Sequence, residues 1–232
     1  MTRQGVTAAV VAAVAGAAAL SACGSSTKTV PAATLLAKAH STINAASAVH
    51  FSVTSNRLPD AGTVLKSGTG DLARPGELRG NFQIAVDSLP TSIAIIETGN
   101  KFYVKLPFQS SYQVSDPAKF GFGDPASIID PDTGISRLLV QISNPKVTGQ
   151  TRVSGEVLET ITGSVPGTDV TQFLPDVAPT QPVQLVLSIN PSSAQVRQVE
   201  ATGPFAAVTT QSTYLVTLTD YNEAVTITAP AT

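Results

Sequence analysis

The sequence predicts an α+β protein in which one antiparallel β-sheet dominates and a few short helices pack on it. Apolar and polar residues alternate with a period of two in about ten short segments, as they do in strands with one buried face. Only about three segments show the spacing of an amphipathic helix. The connections between the strand segments are short, which favours antiparallel neighbours. No repeat and no second domain is evident.

The chain begins with the features of an exported lipoprotein. Arg3 precedes an apolar run from Val6 to Leu20, which is shorter than the about 20 residues of a transmembrane helix and fits a signal-peptide core. The run ends in Leu20-Ser21-Ala22-Cys23, an aliphatic residue, two small residues and a cysteine, which is the pattern of a bacterial lipobox. Small residues let the backbone enter a peptidase cleft, and the thiol of Cys23 can take up a diacylglycerol.

We therefore predict a signal peptide over residues 1–22 and a lipidated Cys23 that anchors the protein at the outer face of the cell membrane. A transmembrane helix and a soluble secreted protein with an unrelated cysteine are the alternatives. Cys23 is the only cysteine and stands at the cleavage point, which favours the lipoprotein and excludes an intramolecular disulfide. Residues 23–31 are predicted to be the acylated cysteine and a flexible linker, and residues 32–232 a single domain.

Composition restricts the partners of this domain. Charged residues make up 13% of the chain, against about 25% in average proteins, and the formal net charge is −2. No basic stripe is present, so we do not expect nucleic acid as a partner. The chain has no tryptophan and only 5% aromatic residues, so the interior is predicted to be mostly aliphatic. This composition argues against a sugar-binding platform.

A helix is predicted to open the domain over residues 32–46. Leu35, Leu36, Ala39 and Ile43 recur at helical spacing and form one apolar face. His40 lies beside that face, and we interpret it as a surface or half-buried histidine rather than as a ligand.

Five strands with short connections are predicted between residues 49 and 106. Gly99-Asn100 is typical of a tight hairpin turn. Gly68 and Gly70 lie inside the second strand, where glycines often mark a bulge or strong coiling. The apolar positions of the alternating pattern include Phe51, Val53, Phe82, Ile84, Val86, Ile93, Ile95, Phe102 and Val104.

The second half of the domain is predicted to complete the sheet. Asp132-Thr133 is expected to cap a helix over 134–143 that contains Leu138. A strand over 183–189 contains Leu185 and Leu187. The other predicted elements are a hairpin over 147–165, a short helix over 170–174, strands over 195–202 and 213–221, and a tail strand over 225–228.

No enzyme chemistry is predicted. A hydrolase needs a nucleophile beside a general base, yet only His40 and His50 are available and no G-x-S-x-G motif is present. An esterase would require one of these histidines to lie beside a serine and a carboxylate in a cleft. No residues show metal-ligand spacing, and residues 130–134 fit an Asp-rich turn better than a calcium loop. We predict no metal and no cofactor.

A single sheet of about ten strands must close or curl. If it curls into a half-barrel with helices across its mouth, its concave side need not be filled by protein. A fully packed barrel or sandwich is the alternative, and composition alone favours it.

Several segments resemble the LppX/LprAFG family of mycobacterial cell-envelope lipoproteins in their order and spacing over the mature chain. Besides the lipobox, they are Ser67–Leu72, Gly80-Asn81-Phe82, Phe102–Leu106, Asp130–Gly134 and Thr180–Val183. The resemblance implies a strongly curved antiparallel half-barrel, with helices packed on one side, that encloses an apolar cavity.

The resemblance also implies a function. The protein would carry multi-acylated lipids or glycolipids towards the outer envelope as a monomer anchored at the extracytoplasmic face of the membrane, with a membrane permease as a partner. The alternative is a non-carrier scaffold or accessory lipoprotein for a transporter or envelope complex, which a core without a cavity would support. The expected lipid-binding residues are Phe51, Val53, Phe82, Ile84, Val86, Ile93, Ile95, Phe102, Val104, Leu138, Leu185 and Leu187.

Overall fold

The computed structural model describes residues 30–231 except for 61, 121–122, 124, 133, 172, 174–177, 179 and 206–209. The predicted signal peptide, the lipobox with Cys23 and the linker up to residue 29 lie outside the described residues. Every described helix and strand lies between Ala32 and Thr219, so a chain that starts after Cys23 contains all of them.

One open antiparallel sheet of eleven strands dominates the described part of the chain. Across the sheet the strands follow the order β6-β5-β4-β3-β2-β1-β11-β10-β9-β8-β7, and the edge strands β6 and β7 do not pair with each other. The predicted fold class, one large antiparallel sheet with a few helices packed on it, is therefore confirmed. In chain order the strands are β1 (Ala48–Asn56), β2 (Thr63–Ala73), β3 (Glu77–Val86), β4 (Leu89–Thr98), β5 (Lys101–Lys105), β6 (Gln113–Val114), β7 (Ser143–Val153), β8 (Glu156–Val165), β9 (Val183–Ile189), β10 (Val196–Gly203) and β11 (Ser212–Thr219).

Two meanders make up this sheet. Strands β1 to β6 follow one another from the centre to one edge, and β7 to β11 return from the other edge to the centre, where β11 pairs with β1. The chain between β6 and β7 therefore passes from one edge of the sheet to the other. It carries two 3₁₀ helices, Pro117–Phe120 and Pro125–Ile129, and the short helix α2 (Ile135–Gln141).

Helix α1 (Ala32–Ala45) covers the apolar face of the sheet and packs against α2. Its buried residues Ala32, Leu35, Leu36 and Ala39 have the spacing of one helix face, as the sequence predicts. They belong to the same contiguous core as the buried side chains of the central strands. This burial holds α1 in place, because an isolated helix of this length is only marginally stable in water.

The predicted tail strand over 225–228 is wrong, because these residues form no strand. The preceding strand, β11, already pairs with β1 on one side and β10 on the other, so it offers the tail no free edge. Ile227 is nevertheless buried, in a small separate cluster with Ala48 and Ala73. The alternating pattern of the tail therefore reflects packing of one side chain rather than strand pairing.

The short helices also differ from prediction. Helix α2 begins after Gly134 and has no side-chain cap, so the predicted Asp132-Thr133 cap is not formed by Asp132, while Thr133 lies outside the described residues. A 3₁₀ helix, Gly167–Asp169, stands just before the predicted helix over 170–174, part of which also lies outside the described residues. None of the described helices is long and apolar enough to span a membrane.

Candidate functional site

The inner face of the sheet is formed by residues that stand opposite each other in the strand register. Directly opposed residues of antiparallel strands point to the same face. One row across β1 to β5 contains Phe51, Gly70, Gly80, Ile95 and Val104. The next row contains Val53, Gly68, Phe82 and Ile93. The apolar members of both rows belong to the core that also contains the buried face of α1.

Three of these inner positions, Gly68, Gly70 and Gly80, form what we call the glycine patch. The ring of Phe82 covers part of this patch. A Cβ atom at Gly68 would lie 2.3 Å from Phe82 Cδ1, and one at Gly80 would lie 2.9 Å from Phe82 Cε2. Phe82 also stacks on Phe51, with 6.0 Å between the ring centroids and 30° between the planes. The patch therefore provides room for an aromatic ring that any larger residue at Gly68 would displace.

Most of the expected lipid-binding residues meet in this one core. Leu138 of α2 is buried as well. Their contact with lipid remains a prediction. The expected residues in the core are Phe51, Val53, Phe82, Ile84, Ile93, Ile95, Phe102, Val104, Leu185 and Leu187.

The alternating pattern predicts that Val86 is buried like Ile84, but Val86 is 42% exposed and lies outside the core. It is the last residue of β3 and stands opposite Leu89, the first residue of β4, which is 71% exposed. Alternation with Ile84, which is 3% exposed, places Val86 on the inner side of the sheet. The inner face therefore extends beyond the core and meets solvent at this end of the β3–β4 hairpin.

Arg74 links the sheet by hydrogen bonds to the helical layer, by which we mean α1, α2 and the 3₁₀ helix Pro125–Ile129. It follows β2, and its guanidinium donates hydrogen bonds to the carbonyl oxygens of Ala46 (3.0 Å) and Ile43 (3.2 Å) and also to that of Ile129. Ile43 is in the last turn of α1, where carbonyl groups lack helical partners and a cation is favourable. Arg74 also borders a cavity of about 20 Å³, too small for more than a single water molecule.

A polar ladder crosses the outer face of the same strands. His50, Asp71 and Arg79 stand opposite one another on β1, β2 and β3. His50 Nδ1 lies 2.8 Å from Asp71 Oδ1, and Arg79 donates to Asp71 Oδ2 at 2.7 Å. Partial burial raises the pKa of Asp71, but the hydrogen bonds from His50 and Arg79 outweigh that effect, so the pKa lies below its usual value.

This ladder does not meet the requirements that we set for an esterase. The hydroxyl that lies 3.1 Å from His50 Nε2 belongs to Thr69, not to a serine, and it is also 3.1 Å from the Phe51 carbonyl oxygen. His40 is 3.1 Å from the amide nitrogen of Asn44. Among the residues that the structure describes, no three His, Cys, Asp or Glu side chains are grouped as a metal site would require.

The sequence of the domain matches a known protein family. The model of the LppX_LprAFG lipoproteins matches residues 31–227, which include every described helix and strand. The chain belongs to the LppX_LprAFG lipoprotein family. The predicted family membership is thereby confirmed, and the inner face described above is the inner face of an LppX_LprAFG fold.

Members of this family from mycobacteria are similar to the chain in sequence. The lipoarabinomannan carrier protein LprG of Mycobacterium tuberculosis H37Rv is 29% identical over 153 residues, which cover 64% of this chain and 62% of LprG. The LprG of Mycobacterium leprae is 26% identical over 179 residues, covering 73% of this chain and 70% of that protein. The match thus spans less than two thirds of the M. tuberculosis relative.

Two solved structures of the LppX_LprAFG family have the same fold. LprF from Mycobacterium bovis superposes with a TM-score of 0.69 at 21% identity, covering 87% of this chain and 97% of LprF. LppX from M. tuberculosis superposes with a TM-score of 0.61 at 15% identity, covering 85% of this chain and 98% of LppX.

Proposed function

We propose that this lipoprotein carries lipids with several acyl chains, or glycolipids of that kind, between membrane layers of the cell envelope. The observation that carries the proposal is the continuous apolar inner face of the sheet beneath α1. Relatives named as lipoarabinomannan carriers support a glycolipid as the cargo. A lipid carrier needs no catalytic residue, which agrees with a family of binding lipoproteins.

The barrier that such a carrier lowers is large. Burying one CH₂ group in an apolar medium is worth about 0.8 kcal/mol, so a chain of about 16 carbons loses roughly 13 kcal/mol when it enters water. A lipid with two or three chains therefore exchanges very slowly between membranes without help. An apolar face that accepts the chains while they leave the bilayer removes most of this cost.

The glycine patch supports a specific way of making room for acyl chains. An empty apolar void costs about 24 cal/mol per Å³, so a large cavity is unfavourable without its cargo. Phe82 occupies the space above Gly68 and Gly80, and it stacks on Phe51 instead of leaving that space empty. We propose that acyl chains take the place of the Phe82 ring when the protein is loaded.

The membrane anchor is part of the same proposal. Lipidation of Cys23 would leave a linker over residues 24–31, which at 3.3 to 3.6 Å per residue reaches at most about 29 Å. The domain over 32–232 could then rotate at the extracytoplasmic membrane surface but would stay near it. We propose a monomer that works with a membrane permease, since a carrier must receive its lipid from the membrane.

The test is lipid extraction from the purified domain. Residues 25–232, which contain every described helix and strand, are purified and extracted with organic solvent, and the extract is analysed by mass spectrometry. We expect acylated lipid in proportion to protein, and less of it in a Phe82→Trp, Ile84→Trp variant whose larger side chains fill the inner face. Val140→Trp serves as the control, because Val140 is 53% exposed on α2.

Two results would count against the carrier. Absence of lipid from the wild-type protein and the double variant alike, at equal thermal stability, would favour a scaffold for an envelope complex. Equal lipid in both would place the cargo somewhere other than the inner face. Circular dichroism melting curves identify a double variant that has lost its fold, and Phe82→Trp alone is then used instead.

A further inference from the structure

A strained turn exposes Phe108 to solvent. Gln109 N–H donates to the Leu106 carbonyl oxygen at 3.2 Å, and the side-chain oxygen of Gln109 accepts from Leu106 N–H at 3.1 Å. Pro107 and Phe108 therefore occupy the centre of the turn, and Phe108 has a φ of +68°. A type II turn requires such a value at its third residue, which is usually glycine. Here the position carries a phenyl group that is 108% exposed.

The tip of the β3–β4 hairpin is held by hydrogen bonds and also presents apolar side chains. Its central residues Asp87 and Ser88 have φ values of +47° and +67°, as in the tight turns of two-residue hairpins. Asp87 Oδ1 accepts a hydrogen bond from Gly62 N–H at 2.9 Å, and Ser88 Oγ donates to the Asp60 carbonyl oxygen at 2.7 Å. These bonds attach the tip to the β1–β2 connection.

The turn and the tip lie at the same end of the sheet. Strands β3 and β5 are both antiparallel to β4, so β5 ends on the side where β3 ends and β4 begins. Val86, Leu89 and Phe108 together form what we call the apolar end, with exposed fractions of 42%, 71% and 108%. Phe108 also borders an open groove of about 460 Å³, whose other lining residues include Ser92 and Ile93 of β4.

We propose that the apolar end inserts into the surface of a lipid bilayer, with Leu89 and Phe108 among the acyl chains. This inference rests on the proposed carrier function and extends it to the place where lipid passes. The two residues project from a hairpin tip and a turn, which suits insertion between lipids better than a flat protein interface. The lipobox and its linker would hold the domain within about 29 Å of such a surface.

The apolar end is also continuous with the inner face. Val86 and Leu89 are directly opposed, and the residue pair Phe82–Ile93 lies further along the same two strands on the same side. Exposure falls from 42% at Val86 to 3% at Ile84 and 6% at Phe82. An acyl chain leaving a bilayer at this end would therefore meet Val86, Ile84 and Phe82 of β3 in turn on its path to the glycine patch.

The absence of tryptophan from the chain makes a direct test available. Phe108→Trp in residues 25–232 creates a single tryptophan at the apolar end. We expect its fluorescence to shift to shorter wavelength when phosphatidylcholine vesicles are added and to be quenched by brominated acyl chains. Val157→Trp is the matched control. Val157 is exposed near the start of β8, and β8 runs in the same direction as β3. Val157 therefore lies at the end of the sheet where β3 begins, opposite the apolar end.

A second pair of variants measures the contribution to binding. Phe108→Asn removes the phenyl group with a residue that tolerates positive φ, and Leu89→Thr keeps a residue suited to a strand. Burial of one such apolar side chain corresponds to about a tenfold change in partitioning, so we expect vesicle binding to fall at least that much in the double variant. Val157→Thr should change it less than about twofold.

Several outcomes would overturn the proposal. The first is that vesicles leave the fluorescence of the Phe108→Trp variant unchanged, and the second is that they shift the fluorescence of the Val157→Trp variant instead. The third is a fluorescence shift without vesicles that grows with protein concentration, which would indicate contact with a second copy of the chain. Lipid extraction separates this inference from the carrier function. Copurified lipid without vesicle docking would reject the apolar end alone, whereas docking without any bound lipid would reject the carrier and leave a membrane-contacting surface.

Discussion

Phe82 fills the space above the glycine patch on the inner face. Its ring lies over glycine positions that could not carry a side chain beside it, so its removal would leave space that no neighbouring side chain fills. Phe82 is 6% exposed, and the ring therefore contributes both to stability and to the exclusion of other apolar groups.

Phe82→Ala should lower stability while it raises lipid content. The loss of a buried phenyl group typically costs about 3 to 5 kcal/mol, which chemical denaturation of delipidated protein would measure. The cavity left over the glycine patch should at the same time increase the lipid recovered per protein. Leu158→Ala is the control, because Leu158 is fully buried on β8 but does not belong to the core that forms the inner face. Unchanged lipid content in Phe82→Ala would show that the ring does not limit loading.

Asp71 makes the stability depend on pH in acid. Its pKa is lowered in the folded protein, so its ionised form contributes stability above its ordinary pKa of 3.8, and this contribution is lost as the pH falls below that value. Asp71→Asn should therefore cost up to about 1 kcal/mol at pH 7 and progressively less below about pH 4. Denaturation curves at several pH values test this. Glu200→Gln, at an exposed carboxylate on β10, is the matched carboxylate-to-amide control.

At the scale of elements, the position of α1 depends on a single side chain as well as on burial. Arg74 reaches carbonyl oxygens of the last turn of α1, of the residue that follows the helix, and of the 3₁₀ helix before α2. It thereby joins the β2–β3 turn to both parts of the helical layer. These three bonds connect both helical segments to the end of β2.

Arg74→Met should loosen this helical layer. The variant keeps the apolar stem but loses three hydrogen bonds from a charged donor, and we expect a loss of about 2 to 4 kcal/mol in the free energy of unfolding. Amide hydrogen exchange should increase in α1 more than in β9. The control is Arg152→Met, because the Arg152 guanidinium donates to the Gly155 carbonyl oxygen within the β7–β8 turn, away from the helices. Equal protection of α1 in both variants would contradict the assigned role.

The strands were predictable from sequence because each has one buried face, and alternation with a period of two reveals that face directly. The ends of elements were less predictable. The pattern at 225–228 could not show that both edges of β11 are occupied, and the pattern at Val86 could not show where the helical cover ends. Both depend on residues that are distant in the chain.

The sequence could indicate single residues of the inner face but not the contacts between them, because those contacts join residues on different strands. Gly68 and Gly70 stood out as interior glycines, and Phe82 as an apolar strand residue. Only the register, which sets Gly68 opposite Phe82 and Gly70 opposite Gly80, shows that the ring and the glycines share one space. Phe108 was not selected at all, since its significance comes from a positive φ and from full exposure.

For the whole molecule, the predicted lipid anchor at Cys23 would determine where the proposed carrier acts. Cys23→Ala should prevent lipidation, so that the protein remains an unprocessed precursor or is released from the membrane fraction. Fractionation and intact-mass measurement of the full chain test this, and we expect the wild-type protein to carry a diacylglycerol on Cys23. A matched Ser26→Ala variant should remain in the membrane. Wild-type protein of the mass expected without acylation would contradict the lipobox prediction.

The pairing of β1 with β11 has a consequence for how the molecule forms. Residues such as His50 and Thr219, near opposite ends of the domain, must meet before the centre of the sheet is complete. Contacts between residues so distant in the chain form slowly, because a long loop has to close first. If the predicted signal peptide exports the chain from its N-terminus, the first meander would emerge with one side of β1 unpaired and the Phe51 face partly uncovered. Until the last strand arrives, this half would present an edge to which other chains can add.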